Sequence, residues 1–144
     1  MDKAIQISTF CRFTQVSRET IVSLKKYEIE LIKANKTLNL IGISTINEIW
    51  TRHFLDSVKV IDFIDKNDKT MIDIGSGAGF PGLVLAIVLK DRKIPIKIKL
   101  LEKSPKKMKS LKKIIDELHL NVEVINKNIF EHSKKLSEDV FVAR

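Results

Sequence analysis

Four of the chain's five glycines fall in one short stretch, MIDIGSGAGFPG at 71–82. The stretch begins with a run of β-forming residues and is followed by an apolar run, LVLAIVL. A loop that joins a strand to a helix offers backbone N–H groups and the positive end of the helix dipole to a ligand. Glycines let the ligand approach that backbone closely and supply positive φ angles. The pattern therefore predicts a ligand-binding loop, because a plain tight turn does not need four glycines.

The glycine loop permits two registers, which favour different ligands. In one, Gly77, Gly79 and Gly82 form the G-x-G-x-x-G pattern of dinucleotide-binding enzymes, which leaves a nicotinamide-dependent oxidoreductase open. In the other, Asp73 ends the strand and Gly75, Gly77 and Gly79 follow it. A carboxylate at that place repels a pyrophosphate and suits a ligand with an ammonium group. S-adenosylmethionine has an ammonium group and a cationic sulfonium, so this register favours it.

A second acid is placed to contact the same ligand. Glu102 closes the next predicted strand, IKIKLLE. Because the carboxyl ends of neighbouring parallel strands meet at one edge of a sheet, Glu102 is expected beside the glycine loop. Its carboxylate can accept hydrogen bonds from both hydroxyls of a ribose. The structural alternative is an acid that only favours the start of the following helix.

The elements that must position these residues predict an α/β protein. Helices are predicted over 18–35 and 44–61, before the strand TMIDI. After the loop, LVLAIVL is predicted as a buried helix and IKIKLLE as a strand. The segment 104–120 is predicted as a helix, which Ser104 caps and in which Pro105 takes the first position. VEVIN and DVFVA complete four strands, and this alternation is typical of a parallel sheet with crossover helices.

These elements divide the chain into a helical region, 1–69, and a Rossmann-like cofactor-binding portion, 70–144, within a single domain. The lone Cys11 excludes an internal disulfide framework and fits a reducing cytosol. The longest uncharged apolar run is too short to cross a bilayer, so no membrane association is predicted. The sequence also contains no metal-ligand cluster, and no metal is predicted.

The positive charge of the chain favours a polyanionic partner. The formal net charge is +8 and the isoelectric point is near 9.6, which favours nucleic acid or an anionic surface. A basic face on the helix after Glu102 predicts contacts with RNA phosphates, although a solvated helix face is the ordinary alternative. Its residues are Lys103, Lys106, Lys107, Lys109, Lys112 and Lys113.

Longer segments resemble one enzyme family. NLIGISTINEIWTRHFLDSVKVIDFI, MIDIGSGAGFPGLVLAIV, LLEKSPKKMKSLKKI and DVFVAR together resemble the bacterial small-subunit ribosomal RNA guanine-N7 methyltransferases, formerly called glucose-inhibited division protein B. The resemblance runs from about residue 20 onward, and RHFLDS combined with GFPG is its most specific part. It implies a Rossmann-like class I methyltransferase fold with N-terminal helices and a cytoplasmic enzyme. It also implies S-adenosyl-L-methionine as cofactor and 16S ribosomal RNA, or the small ribosomal subunit, as partner.

The resemblance also implies which residues contact the cofactor. Gly75 matches the first glycine of the family's loop, and Phe80 matches the apolar residue before its Pro–Gly. Glu102 matches the acid that ends the second strand, and we expect Gly75, Phe80 and Glu102 to line one pocket. Ile129 and Phe130 match the pair that flanks the adenine. The family often has an acid in that pair, so at Phe130 the adenine amino group would need a backbone partner.

The RHFLDS segment supplies a second group of candidates. Arg52 and Asp56 are four residues apart and share one face of a regular helix, with His53 beside them. One interpretation places Arg52, His53 and Asp56 at the cofactor mouth, against the target base or RNA phosphates. The alternative is an intrahelical Arg–Asp pair with a packed or capping histidine. Arg144 matches the family's arginine at the end of the fourth strand, and the resemblance implies that it too contacts the cofactor.

The reaction implied by the resemblance needs no proton carrier. Guanine N7 has a free lone pair, so methyl transfer depends on positioning and exclusion of water, and no firm catalytic residue is predicted. The sheets of that family continue beyond a fourth strand, where the resemblance stops. We therefore expect a sheet that is incomplete after its fourth strand, self-association through that apolar edge, and weak methyl transfer. A remnant that binds cofactor or RNA without turnover is the alternative.

Overall fold

Four runs of β-branched and long apolar residues form one parallel sheet in the computed structural model, which describes residues 1–132 and 137–144. The strands are β1 (Thr70–Ile74), β2 (Lys97–Leu101), β3 (Val122–Ile125) and β4 (Val140–Ala143). Their order is β3-β2-β1-β4, and every neighbouring pair is parallel. The predicted α/β class and all four predicted strands are confirmed.

The register of the sheet sets the ends of three strands side by side. Ile74 at the end of β1 lies opposite Leu101 of β2 and Ala143 of β4. The next residue of each strand is therefore at the same edge: Gly75, Glu102 and Arg144. The sheet thus brings together three residues that are far apart in the sequence, which is what a site at the carboxyl ends of parallel strands requires.

Two crossover helices connect β1 to β2 and β2 to β3. They are α4 (Gly82–Asp91) and α5 (Pro105–Glu117), and right-handed crossovers place both on one face of the sheet. Ser104 caps α5 as predicted, since its Oγ accepts a hydrogen bond of 3.3 Å from the Lys107 N–H. A short helix, α6 (Ile129–His132), follows β3.

The N-terminal helices form a second layer over the crossover helices. The helix α2 (Arg18–Leu38) contacts both α4 and α5, so α4 is enclosed and its residues 82–89 are all buried. The carboxylate of Asp91, at the end of α4, accepts a hydrogen bond of 3.0 Å from the Ser17 N–H at the start of α2. Among the described residues, no helix is long and apolar enough to span a membrane.

The sequence did not predict the first helix, α1 (Lys3–Thr14). Its buried side chains are Gln6, Phe10 and Thr14, which recur at helical spacing. Two of the three are polar, so the helix shows no apolar stripe by which it could be recognised. The polar groups are satisfied locally, since the Gln6 amide donates to the Asn47 carbonyl at 2.7 Å and the Thr14 hydroxyl to the Phe10 carbonyl.

The prediction of one regular helix over 44–61 is wrong in detail. The segment begins as a 3-10 helix (Ile43–Glu48), continues as a π-helix (Trp50–Leu55), then as one α-helical turn, α3 (Asp56–Val58), and ends as a second 3-10 helix (Lys59–Phe63). In the π-helical part the hydrogen bonds run from residue i to i+5, which shifts every later side chain around the axis. We call the whole of 43–63 the composite helix.

The composite helix keeps its large aromatic residues in the core despite this winding. Trp50 is fully buried and packs edge-to-face against Phe10 at 5.5 Å and Phe54 at 5.1 Å. Its indole Nε1–H donates to the buried Glu28 carboxylate at 3.1 Å. Glu28 also pairs with Lys3, so one acid connects α1, α2 and the composite helix.

Candidate functional site

The glycine loop turns through three positive φ angles. The φ values are +74° at Gly75, +55° at Gly77 and +99° at Gly79, a region that residues with a side chain rarely adopt. Three of its N–H groups already have protein acceptors: Gly75 donates to the Leu101 carbonyl at 2.9 Å, Gly77 to the Glu102 carboxylate at 3.0 Å and Gly79 to Ser76. The expectation of a loop rich in free amides is therefore wrong for these three. A pyrophosphate cradle, which needs those amides, is disfavoured.

The glycines have two different roles. A Cβ at Gly75 or Gly77 would meet nothing within 4 Å, so these two present bare backbone to open space. A Cβ at Gly79 would overlap the Tyr27 hydroxyl and the Leu83 side chain, and one at Gly82 would overlap Leu100 and Asp73. Gly75 and Gly77 are thus available to a ligand, whereas Gly79 and Gly82 allow close packing.

Asp73 lies beneath the loop instead of on the wall of a cleft. It is fully buried, and its Oδ2 accepts a hydrogen bond of 2.8 Å from the Gly82 N–H at the start of α4. Its Oδ1 is buried without a hydrogen-bond partner among the described residues. Burial raises the pKa of Asp73 to about 7, against the lowering effect of the Gly82 hydrogen bond. The structure shows an anchoring role for Asp73, and its contact with a ligand ammonium stays a prediction.

Glu102 closes one side of the loop. It is buried, and its two carboxylate oxygens accept hydrogen bonds from the Gly77 N–H at 3.0 Å and the Ser104 N–H at 3.3 Å. Beside it is a depression of about 350 Å³, which we call the acid-side depression. Its lining includes Gly75, Gly77, Glu102, Lys107, Ile129 and Phe130.

The other side of the loop carries a second depression, of about 300 Å³, which we call the aromatic-side depression. The His53 and Phe80 rings stack there, 4.9 Å apart and within 5° of parallel. The Arg144 guanidinium carbon lies 5.7 Å from the centre of the Phe80 ring, within the range of a cation–π contact. Residues 40–42, Gly75 and Gly77 also line this depression.

The expectation that Gly75, Phe80 and Glu102 line one pocket stays a prediction, because the three residues border two adjoining depressions. Gly75 and Gly77 are shared by both depressions, but Phe80 faces one and Glu102 the other. The Gly77–Glu102 hydrogen bond holds the carboxylate against the loop, on the side away from Phe80.

His53 presents a neutral aromatic surface near neutral pH. Burial, together with the positive charge of Arg144, lowers the pKa of its imidazole to about 4. Its Nε2 lies 2.9 Å from the Thr45 hydroxyl, and its buried Nδ1 has no hydrogen-bond partner among the described residues. His53 is therefore suited to stacking instead of to holding a phosphate by charge.

The alternative interpretation, an intrahelical pair of Arg52 and Asp56, is wrong. The Arg52 guanidinium pairs with Glu48 at 3.2 Å, and Asp56 lies 3.8 Å from Arg144. Each of the two side chains has another partner instead, since Glu48 holds Arg52 and both Arg144 and Lys59 lie beside Asp56. Arg144 also donates to the Arg52 carbonyl at 3.1 Å, so the composite helix positions this arginine over Phe80.

Sequence reasoning missed Tyr27 and Thr45 as residues that build the site. The Tyr27 hydroxyl donates to the Ala78 carbonyl at 2.5 Å, and burial raises the pKa of this phenol well above its usual range, so it remains a donor. Tyr27 is the chain's only tyrosine and lies on the buried face of α2. A buried tyrosine usually has a partner for its hydroxyl, which is the signal that could have found it.

Comparison of the sequence with known families and proteins gives a consistent result. A family model described as rRNA small subunit methyltransferase G (GidB) matches residues 20–144. The ribosomal RNA small subunit methyltransferase G of Pelagibacter ubique is 40% identical over 131 residues, covering 90% of this chain and 61% of that protein. The enzyme of the same name from Rickettsia akari is 38% identical over 115 residues, covering 80% of this chain and 58% of that protein. The chain thus spans about three fifths of the length of these two relatives.

Solved structures support the fold. A methyltransferase from Podospora anserina bound to S-adenosylhomocysteine matches with a TM-score of 0.55 and 18% identity, covering 88% of this chain and 58% of that one. A variant of MtNAS in complex with S-adenosylmethionine matches with a TM-score of 0.53 and 14% identity, covering 85% of this chain and 48% of that one. The predicted Rossmann-like class I methyltransferase fold is confirmed, and the chain belongs to the ribosomal RNA small subunit methyltransferase G family.

Proposed function

We propose that this chain carries the cofactor site of an enzyme that methylates N7 of a guanine in 16S ribosomal RNA, with S-adenosyl-L-methionine as methyl donor. The observation that carries the proposal is the pair of depressions that meet at Gly75 and Gly77, in a chain whose relatives are named as ribosomal RNA methyltransferases. An extended ligand lying across these glycines would touch both depressions at once.

The acid-side depression fits the nucleoside end of that donor. Glu102 would accept hydrogen bonds from the ribose hydroxyls through the lone pairs that its two amide partners leave available. Ile129 and Phe130 would flank the adenine, since both line the same space. The Glu102 carboxylate, which lines this depression, makes it suitable for a ligand that carries a positive charge.

The aromatic-side depression fits the reacting end. The donor supplies a methyl group on a positively charged sulfur, which leaves as a neutral thioether when the guanine N7 lone pair forms the new bond. Phe80 and His53 would exclude water there with their stacked rings. Arg144 would bind the carboxylate of the donor, and Asp56 keeps that guanidinium in place. Arg52 and His53 would contact the target nucleotide.

The nicotinamide alternative is less well supported by the geometry. Both acids, Asp73 and Glu102, lie where a pyrophosphate would need positive charge, and the Gly77 N–H is already bonded to one of them. Titration calorimetry with S-adenosylhomocysteine and with NAD separates the two. Saturable binding of S-adenosylhomocysteine without an NAD signal supports the proposal, and NAD binding alone overturns it.

Turnover needs a separate assay, because a remnant that only binds would give the same calorimetry. We propose to measure methyl transfer to small ribosomal subunits that lack the mark. Transfer to the guanine N7 supports the enzyme, whereas binding without transfer identifies a binding module. Self-association through β4 and a cytoplasmic location stay predictions, and sedimentation of the same sample tests the former.

A further inference from the structure

A basic groove lies between α2 and α5, outside the two depressions at the glycine loop. Its volume is about 350 Å³, and each helix supplies four of its lining residues. From α2 come Glu30, Lys33, Ala34 and Leu38, and from α5 come Lys106, Lys109, Ser110 and Lys113. Four lysines face one carboxylate, so the groove carries a strong positive charge.

The lysines of α5 form a row along the groove. Lys106, Lys109 and Lys113 follow a helical spacing that keeps them on one face, and the row extends over about 10 Å at 1.5 Å per residue. Within the described residues, Lys106 and Lys109 have no ion-pair partner. They are the cations of the groove that a ligand could engage without breaking an existing contact.

Glu30 organises the other two lysines. Its carboxylate lies 2.9 Å from the Lys113 ammonium and 3.4 Å from that of Lys33, so it links α2 to α5 at the base of the groove. These contacts lower the pKa of Glu30, with the Lys113 hydrogen bond as the main cause. The acid is therefore charged, and it partly neutralises Lys33 and Lys113 while it holds them facing each other.

The groove leads toward the proposed methyl-transfer site. Leu38, which lines the groove, ends α2, and residues 40–42 line the aromatic-side depression. Two residues of extended chain span at most about 7 Å, so the two spaces are close neighbours. At the other wall, Lys106 lies in the first turn of α5, just after Glu102 and the Ser104 cap. A strand that occupied the groove could continue to the glycine loop.

We propose that this groove binds the phosphate backbone of the RNA segment next to the target guanine. The proposal rests on the proposed function for its choice of RNA. Lysine contacts to phosphate fix position and carry no sequence information, so the groove would orient the RNA while the aromatic-side depression selects the base. A concave channel between two helices fits a narrow anionic strand better than it fits a bilayer, which is flat on this scale.

The test removes the two unpaired lysines together. For Lys106→Ala/Lys109→Ala, the affinity for a fluorescein-labelled RNA hairpin of arbitrary sequence is measured by anisotropy over a salt series. The affinity falls as salt rises, and each lost phosphate contact makes the plot of log affinity against log salt less steep by about 1. The magnitude of the slope should therefore fall by about 2. The matched control is Lys25→Ala/Lys36→Ala, which removes two exposed lysines of α2 that do not line the groove. It should change the slope by much less.

Glu30→Gln gives a change of opposite sign. It frees Lys33 and Lys113 from their carboxylate, and we expect tighter RNA binding at low salt and a steeper slope. Thermal unfolding of each variant checks that the fold is retained. The proposal is overturned if Lys106→Ala/Lys109→Ala shows the same salt dependence of RNA affinity as the wild type. It is also overturned if the control variant loses as much of that salt dependence as the groove variant does. Binding to phosphatidylglycerol vesicles that depends on Lys106 and Lys109 and exceeds RNA binding overturns it as well.

A failure of the groove proposal can be distinguished from a failure of the proposed function. Titration with S-adenosylhomocysteine should give the same affinity in the wild type and in Lys106→Ala/Lys109→Ala, because neither lysine lines the depressions at the glycine loop. If the variant keeps both RNA binding and methyl transfer, the groove proposal fails and the enzyme stands. If the wild type neither binds S-adenosylhomocysteine nor transfers a methyl group, the proposed function fails instead.

Discussion

The two sides of the glycine loop are built in different ways. On the acid side, Glu102 is fixed by backbone N–H groups that belong to the loop and to the start of α5. On the aromatic side, Phe80 is covered by His53 from the composite helix and by Arg144 from the end of β4. The first depends on the sheet and its crossovers, and the second depends on contacts between layers. Nucleoside recognition should therefore resist change in the N-terminal layer, whereas positioning of the reacting end should respond to it.

Gly79→Ala should disturb both sides at once and have the largest effect. The new methyl group would overlap Tyr27 and Leu83, at a φ of +99°. Backbone strain of about 1–3 kcal/mol and overpacking of about 1–3 kcal/mol together predict a loss of several kcal/mol in the free energy of unfolding. Urea denaturation measures it. Gly77→Ala, which has space for its Cβ, is the control and should lose only about 1–2 kcal/mol. Equal losses of unfolding free energy in the two variants would show that the overlap with Tyr27 and Leu83 does not destabilise the fold.

The pH dependence of stability should distinguish the two sides. The folded pKa of Asp73, about 7, is above its unfolded value, so its stabilising contribution is full at low pH and is lost as the pH rises toward 7. The folded pKa of His53, about 4, is below its unfolded value, so its contribution is present above about pH 6.5 and is lost as the pH falls toward 4. Between pH 4 and 6.5 the two slopes oppose each other.

Asp73→Asn should remove one of these slopes. The free energy of unfolding of this variant should rise by a few kcal/mol from pH 4 to 6.5, because the Asp73 contribution no longer opposes that of His53. The wild type should vary much less there and should lose stability between pH 6.5 and 8. Urea titrations at a series of pH values measure both. A variant with the wild-type profile would show that Asp73 is already charged at pH 5.

Glu102→Gln should affect the acid side alone. Loss of a charged acceptor predicts a weakening of S-adenosylhomocysteine binding by about 1–3 kcal/mol, measured by calorimetry, with RNA binding unchanged. Glu123→Gln, an exposed acid on β3, is the matched control and should bind as the wild type does. If Glu102→Gln lowers RNA affinity as strongly as cofactor affinity, the two sides are not independent.

Asp56→Asn should produce the smallest change and affect only the aromatic side. Its contact with Arg144 is 3.8 Å long, and both side chains are substantially exposed, so the pair contributes at most about 1 kcal/mol. We expect a loss of less than tenfold in S-adenosylhomocysteine affinity and a pH profile of stability like that of the wild type. Lys59→Ala, which removes the other partner of Asp56, should leave the affinity unchanged.

Features set by neighbours in the sequence could be predicted, as α5 illustrates. Ser104 at its cap, Pro105 at its first position and the spacing of Leu111 and Ile115 are all local signals, and the structure has each of them. The sheet was predictable for a similar reason, since strand, loop and helix alternate at lengths that allow parallel pairing. The position of Glu102 beside Gly75 follows from that pairing.

Features set by distant contacts were missed. The pairing of Asp56 with Arg144 joins residues that are 88 positions apart, and no local pattern encodes it. The helix α1 buries Gln6 and Thr14, so it lacked an apolar stripe. The π-helical winding around His53 was also missed, because such windings are rare. The hydrogen bond from the Gly77 N–H to the Glu102 carboxylate could not be predicted, because it depends on the shape that the loop takes once the strands have paired.

The hydrogen bond from Tyr27 to the Ala78 carbonyl has a consequence for the order of folding. It joins α2 to the glycine loop across 51 residues, so it can form only after the helical layer has docked on the crossover helices. Closing such long loops is a slow step in folding relative to forming a local turn. The loop should thus acquire its final shape late, and the onset of cofactor binding during refolding would report the docking of α2.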